Sequence, residues 1–405
     1  MPRIILIIGI MIVIPIILLL FIREEEISPS NESAEEREEA DEVTNDLKVG
    51  TGETEGEEDK NTLKSNNTIN VETEELNMEK HREEIEAVNQ PKYKASEFQA
   101  GMNLLIYGHP DRGEARKILT DLKNLGVNSI AITFPFVQAD LHSNQVEEDL
   151  VITPTMKELD GIIQEAQALN LSVMLRPILD EENLMASGYW RGDLAPSDPE
   201  AWFKSYRSLL LPYAKLAESR NVKVFNIGTE FNSLQNQYSK EWIILIESLR
   251  EIYNGDLIYS FNWNTVNEIP TIEFVPLLDH VGIDAYFPLE AEDGASITKL
   301  EEEWHKWTSE VKDIINHDSV IITESGMVPV AGAYRHPYAW DLPDGKLDWQ
   351  AQANYYEATY KVWRPLIDGI YWWCVTLDQE PGVIDYSPLG SITESVIENI
   401  FLKTP

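Results

Sequence analysis

Cysteine is almost missing from this 405-residue chain: Cys374 is the single one. That excludes an internal disulfide and any metal site built from clustered cysteines. Its neighbours, Tyr371-Trp372-Trp373 and Val375, are apolar, so the expectation is a buried, inert thiol. Histidine is also scarce, with seven residues and no HxxxH or HxH pairing. No catalytic transition metal and no cofactor are therefore expected. Basic residues are few as well: 32 Lys and Arg stand against 70 Asp and Glu, a formal net charge of −38. So acidic a surface repels phosphate backbones and argues against nucleic acid as a partner, while leaving neutral polymers unpenalised. What the chain does have is a hydrophobic content of 43%, enough for a large core, together with eleven Trp and sixteen Tyr.

Three regions follow one another. Residues 1–23 contain an apolar run from Ile4 to Ile22, broken only by Gly9 and Pro15. A helix of that length crosses about 30 Å of hydrocarbon. No small-residue cleavage site follows, so an uncleaved signal anchor is favoured over a removed signal peptide. Arg3 precedes the run and acidic residues follow it, which places the short N-terminus inside and the remainder outside the cell. Residues 24–90 are rich in Glu, Asn and Thr and poor in aromatics. Such a segment cannot bury enough apolar surface to offset its ordering entropy, and reads as a disordered acidic linker. Residues 91–405 form the third region, expected to be the folded domain and to act as a monomer.

In that region short, β-branched apolar runs recur at Gly101–Tyr107, Ser129–Phe136, Ser172–Leu179, Lys223–Glu230, Leu257–Asn264, His280–Phe287, Ser319–Glu324 and Gly369–Thr376. Nearly continuous apolar runs suit parallel strands buried on both faces. Helical patterns separate most of them. Ala115, Ile118, Leu119, Leu122 and Leu125 share one face, and Asp198-Pro199-Glu200 opens another helix with a cap and a proline at its first position. Only a weak, short helix is marked near Thr271–Leu278. Eight strands alternating with helices over this length predict an α/β fold, the (β/α)8 TIM barrel. An open doubly wound sheet would carry a glycine-rich phosphate turn after its first strand, and Tyr107-Gly108-His109-Pro110 is not one.

The C-terminal ends of barrel strands line the active site. The fourth strand finishes Gly228-Thr229-Glu230 and the seventh Ile322-Thr323-Glu324. Two carboxyl groups at one end of a barrel are what glycoside cleavage requires. One protonates the leaving oxygen, and the other attacks the anomeric carbon or activates water. Aromatics at strand ends or in the following loops, such as Trp190, Trp263, Tyr286, Trp340 and Trp372, are placed to stack on sugar faces. Trp202, Tyr206 and Tyr213 lie at helical spacing and read as helix-to-barrel packing. Arg176 reads equally as a buried partner of a barrel carboxylate or as a substrate ligand.

Several segments, in order, carry a family resemblance: Thr153-Pro154, Val173 to Pro177, Tyr189-Trp190-Arg191-Gly192, Gly228-Thr229-Glu230, Asn262-Trp263, Gly282 to Pro288, Thr323 to Gly326, and Tyr371-Trp372-Trp373. Together the chain resembles the retaining glycoside hydrolases built on this barrel, and most of all the family 113 β-mannanases. The resemblance implies that Glu230 is the general acid/base and Glu324 the nucleophile, with Tyr286 hydrogen-bonded to the latter. It implies that Trp372 or Trp373 stacks beneath the sugar, the pattern leaving open which. Trp190, Arg191, Asn262 and Trp263 would build the cleft walls. The expected substrate is a β-1,4-linked mannan-type polysaccharide; the alternatives are another β-glycan or an inactive surface carbohydrate-binding protein. Two departures stand out. Thr229 precedes the acid where the wider clan has Asn, and Arg176-Pro177-Ile178 stands where Lys-Pro-His is expected, which removes one donor from the cleft.

Overall fold

A computed structural model describes residues 97–314, 317–340, 342, 345–377 and 384–403. The apolar segment of residues 1–23 and the acidic stretch of 24–90 lie outside the described residues. Among the described residues no helix is long and apolar enough to cross a membrane.

Eight parallel strands close on themselves in chain order, a TIM barrel. They are β1 (Gln99–Leu105), β2 (Ser129–Phe136), β3 (Ser172–Leu179), β4 (Val224–Thr229), β5 (Asp256–Asn262), β6 (His280–Asp284), β7 (Val320–Ser325) and β8 (Gly369–Thr376). Among the described residues seven longer helices cover them: α1 (Arg112–Asn124), α2 (Met156–Ala168), α3 (Pro199–Ser219), α4 (Ser239–Arg250), α5 (Ile297–Ile314), α6 (Trp349–Trp363) and α7 (Ile392–Lys403). Their starts are written locally. Asp111 accepts the Glu114 N–H at α1, Thr155 and Glu158 form a reciprocal capping box at α2, and Asp198 caps α3 ahead of Pro199. The connection after β5 is not the short α-helix expected near Thr271–Leu278. It is two 3-10 stretches, Trp263–Thr271 and Val275–Leu277. Pro270 and Pro276 lack the N–H that an α-helical ladder would need there.

Side chains alternate between the barrel interior and the helix layer. The lower interior holds a separate apolar cluster of Ala131, Met174, Val224, Ile258, Ile321 and Tyr371. Two residues further along the same strands come Thr133, Arg176, Asn226, Ser260, Thr323 and Trp373, joined by Asn103 and Asp284, all buried. The interior therefore changes from apolar to polar toward the strand C-termini. Trp202, Tyr206 and Tyr213 are buried in the helix layer, and Cys374 is buried too, as expected.

Three strands depart from even pairing. From Asn226 to Thr229, β4 advances three residues while β5 advances two, Ile258 to Ser260. Between Ile322 and Ser325, β7 gains one residue on β8, and between Met102 and Leu104 of β1, β8 gains one in turn. By contrast β2 and β3 pair without interruption from Ser129 with Ser172 to Phe136 with Leu179. A bulge of one residue turns the following side chains to the other face. The bulged strands are those whose ends carry Glu230, Glu324 and Trp373.

Candidate active site

Glu324 lies within β7, just past the polar interior layer, and is buried. Arg176 Nη1 donates to its Oε1 at 2.5 Å, and the Tyr286 hydroxyl donates to its Oε2 at 2.8 Å. Each carboxylate oxygen thus meets a donor, one of them a charged guanidinium. Arg176 is 0% exposed, so of its two readings the contacts are those of a carboxylate partner. Its Nη2 reaches both oxygens of Asp284, at 3.2 and 3.1 Å. Asp284 also accepts the Thr323 hydroxyl at 2.7 Å. Burial, and then the Glu324 charge, push the Asp284 pKa up to about 7, against the pull of Arg176. Tyr286 sits two residues beyond the end of β6, where the strand turns earlier than the expected Phe287: the Tyr286 N–H bonds the Asp284 carbonyl.

Glu230 stands one residue past β4, not within it, in the left-handed region at φ +56°. That conformation costs a non-glycine residue of order 1–3 kcal/mol and persists only where the surroundings impose it. Here the Glu230 N–H is tied to the Ser260 carbonyl at 2.8 Å, and the next N–H, of Phe231, to the Tyr259 hydroxyl at 3.0 Å. The Phe231 ring is wedged among Trp202, Tyr206 and Trp242 of α3 and α4. Gly228 lets this wall close in, since a Cβ there would lie 2.7 Å from Tyr259 and 2.9 Å from Trp242. The Glu230 carboxyl accepts the Asn262 side-chain amide at 2.7 Å, while Arg191 Nε stays 3.5 Å from its other oxygen. Burial first, and then the charge of Asp284, hold its pKa well above the ordinary carboxylate range; Arg191 opposes them.

The remaining expected residues divide. Trp373 faces inward, with the Arg176 guanidinium 5.9 Å from its ring and Trp340 against it edge-on. Trp372 points the other way, fully buried and stacked on Tyr356 of α6 at 4.3 Å, so it is a packing residue rather than a sugar platform. Trp263 packs against Phe287, Trp307 and Tyr338 at the rim. Trp190 caps the short turn Arg191–Asp193, and Arg191 is pulled toward Glu181, 2.8 Å from its Nε. Asp284 and Glu181 went unnoticed in the sequence. Asp284 had a usable signal, a lone charge inside the apolar run His280–Phe287; Glu181, between Asp180 and Glu182, had none. Among the described residues no group of three or more His, Cys, Asp or Glu is placed to hold a metal ion.

A search of the curated proteins gives no match. Solved structures similar to this chain include a β-1,4-mannanase of glycoside hydrolase family 113, at 22% identity and a TM-score of 0.65 over 76% of this chain and 99% of the other. A β-mannanase of that family from Alicyclobacillus acidocaldarius matches at 21% identity and 0.64, over 76% and 97%. A β-glucuronidase from Ruminococcus gnavus follows at 13% and 0.53, over 75% of this chain and 51% of its own. At such identities these likenesses describe the fold. The model of Glycoside Hydrolase Family 113 matches residues 106–380, more than half of the sequence, and it is on this ground that the chain belongs to that family.

Proposed function

We propose that this glycoside hydrolase cleaves β-1,4-linked mannan-type polysaccharide by double displacement, with Glu230 as acid/base and Glu324 as nucleophile. The observation that carries the reading is the contrast between two buried carboxyl groups at one end of the barrel. Glu324 is met by donors on both oxygens, whereas Glu230 has one amide donor and a more distant cation. The first suits an anion ready to attack, the second an acid that keeps its proton. In the first step Glu230 gives its proton to the glycosidic oxygen as a Glu324 oxygen attacks the anomeric carbon. The bond to the leaving sugar breaks and a glycosyl ester forms. Glu230, now ionised, then takes a proton from water, which attacks the same carbon and frees Glu324. Trp373 is the aromatic face offered to the sugar at this point, and Asn262, Trp263, Trp190 and Arg191 border it. The mannan preference is supported by the family and by the similar solved structures, which are β-mannanases of that family.

One observation favours a second reading of the sugar. On β3, Arg176 is committed to two carboxylates and Ile178 is buried, so the strand offers the substrate no donor where Lys-Pro-His would. A different β-glycan would suit that loss. Release of reducing sugar from mannan, glucomannan, xylan and β-glucan by the protein separates the two, mannan hydrolysis being the expected result. For the mechanism, Glu324→Ala should abolish turnover, and azide should restore it with inversion at the anomeric carbon. Glu230→Ala should still react with aryl glycosides bearing good leaving groups, and azide should then yield the retained β-glycosyl azide. Opposite stereochemical outcomes would mean swapped roles.

A further inference from the structure

Arg191 faces two carboxylates at once. Its Nε lies 2.8 Å from Oε1 of Glu181 and 3.5 Å from Oε2 of Glu230. The same Glu181 oxygen accepts the Arg191 backbone N–H at 3.1 Å, and Nη1 of Arg191 donates to the Leu179 carbonyl at 3.2 Å. Glu181, two residues past β3, therefore grips Arg191 by main chain and side chain together and holds the guanidinium on its own side.

The other charges around Glu230 make this grip matter. Arg176 faces it from β3, Asp284 from β6 and Glu324 from β7, while β5 contributes the neutral Asn262 amide. Asp284 and Glu324 hold Arg176 between them, at 3.1 and 2.5 Å. Arg191 is then the cation in direct reach of Glu230, and Glu181 is the group that draws it off. Asp180, bonded to the Tyr107 hydroxyl at 2.7 Å, adds a further negative charge beside Glu181. Coulomb attraction weakens with distance and with a competing anion, and the side chains of Arg191 and Glu181 are only 16% and 21% exposed, so solvent screens the competition only in part.

We propose that Glu181 is a positioning residue for this reaction: it draws the Arg191 guanidinium away from Glu230, so that Glu230 meets the substrate still carrying its proton. The inference rests on the reading of Glu230 as the acid/base. In Glu181→Gln a side-chain oxygen able to accept the Arg191 backbone N–H survives, but the competing charge is gone. Arg191 then neutralises Glu230 more fully and favours its ionised form.

The test is kcat/KM against pH for the full-length protein and its variants, on a glycan that the wild type hydrolyses and on an aryl glycoside with a good leaving group. The alkaline limb of Glu181→Gln is expected about one pH unit lower, a loss of about tenfold at pH values above it. The aryl glycoside, which needs little proton donation, should lose less. Arg191→Gln should move the limb the other way, to higher pH, and keeps the test open should Glu181→Gln fail to fold. A limb that stays in place in both variants, or moves in the same direction in both, overturns the inference, as does a uniform loss at every pH. Glu230→Gln tells this failure from a failure of the acid/base assignment. If it leaves the alkaline limb intact, the assignment itself falls. If it removes the limb while Glu181→Gln does not shift it, only the role of Glu181 falls.

Discussion

At the scale of the residue, two buried glutamates at one end of the barrel meet different partners: Arg176 and Tyr286 at Glu324, Asn262 and the more distant Arg191 at Glu230. Burial and the charge of Asp284 raise the pKa of Glu230. Its acid form therefore persists to higher pH than that of a free glutamate, and activity should fall as pH climbs through that raised value. Tyr286 serves the other carboxylate. Its hydroxyl is buried, and burial together with the Glu324 charge pushes its own pKa up, so it remains a donor across the working range. A hydrogen bond to a charged group is worth about 1.5–3 kcal/mol. Tyr286→Phe should therefore lower kcat by roughly 10- to 100-fold with little change in melting temperature. An unchanged kcat would make Tyr286 a packing residue. The sequence placed both glutamates and Tyr286 at strand ends, because a charge or hydroxyl closing an apolar run is visible locally. It left Arg176 undecided, since whether an arginine reaches a sugar or a carboxylate depends on what the neighbouring strands bring to it.

At the scale of the element, the bulges in β4 and β7 decide how the ends that carry Glu230 and Glu324 are set. Each adds one residue between paired positions, and of the two only that in β4 has a local mark, Gly228 within it. At Gly326, just beyond β7, a Cβ would sit 2.4 Å from the Trp373 carbonyl oxygen of β8, a backbone atom that cannot swing aside. Gly326→Ala should force the ends of β7 and β8 apart. The expected cost is about 1–3 kcal/mol in denaturant unfolding, with a larger proportional loss of kcat because Glu324 and Trp373 both shift. Equal activity in a destabilised variant would show that the site tolerates the displacement. Parity along β8 also answers which tryptophan faces the site: Trp373 shares the inward face of Tyr371, and Trp372 faces α6.

At the scale of the whole molecule, the chain joins a barrel to about 90 residues of different composition. We propose that the apolar segment anchors the protein in a membrane with the barrel outside the cell, and that the acidic segment is a solvated spacer. Limited proteolysis should then release a domain beginning near residue 91 with its activity unchanged. Loss of activity on trimming would assign the acidic segment to the fold. The net charge of −38 bears on partners at this scale too, since it neither attracts nor repels a neutral glycan.

Strand order, the barrel, most of its helices, and the placing of Glu230 and Glu324 at the C-terminal ends of β4 and β7 were legible in the sequence itself. Buried parallel strands, helix caps and isolated charges are local signals, each readable within a few residues. Only the tertiary structure decided that Arg176 bridges Glu324 and Asp284, that Glu230 lies past its strand in a left-handed conformation, and that Arg191 is shared with Glu181. The physical reason is that these features arise between strands distant in sequence. A bulge is a property of pairing, and the charge a carboxyl group keeps depends on which cations and anions closure of the barrel sets around it.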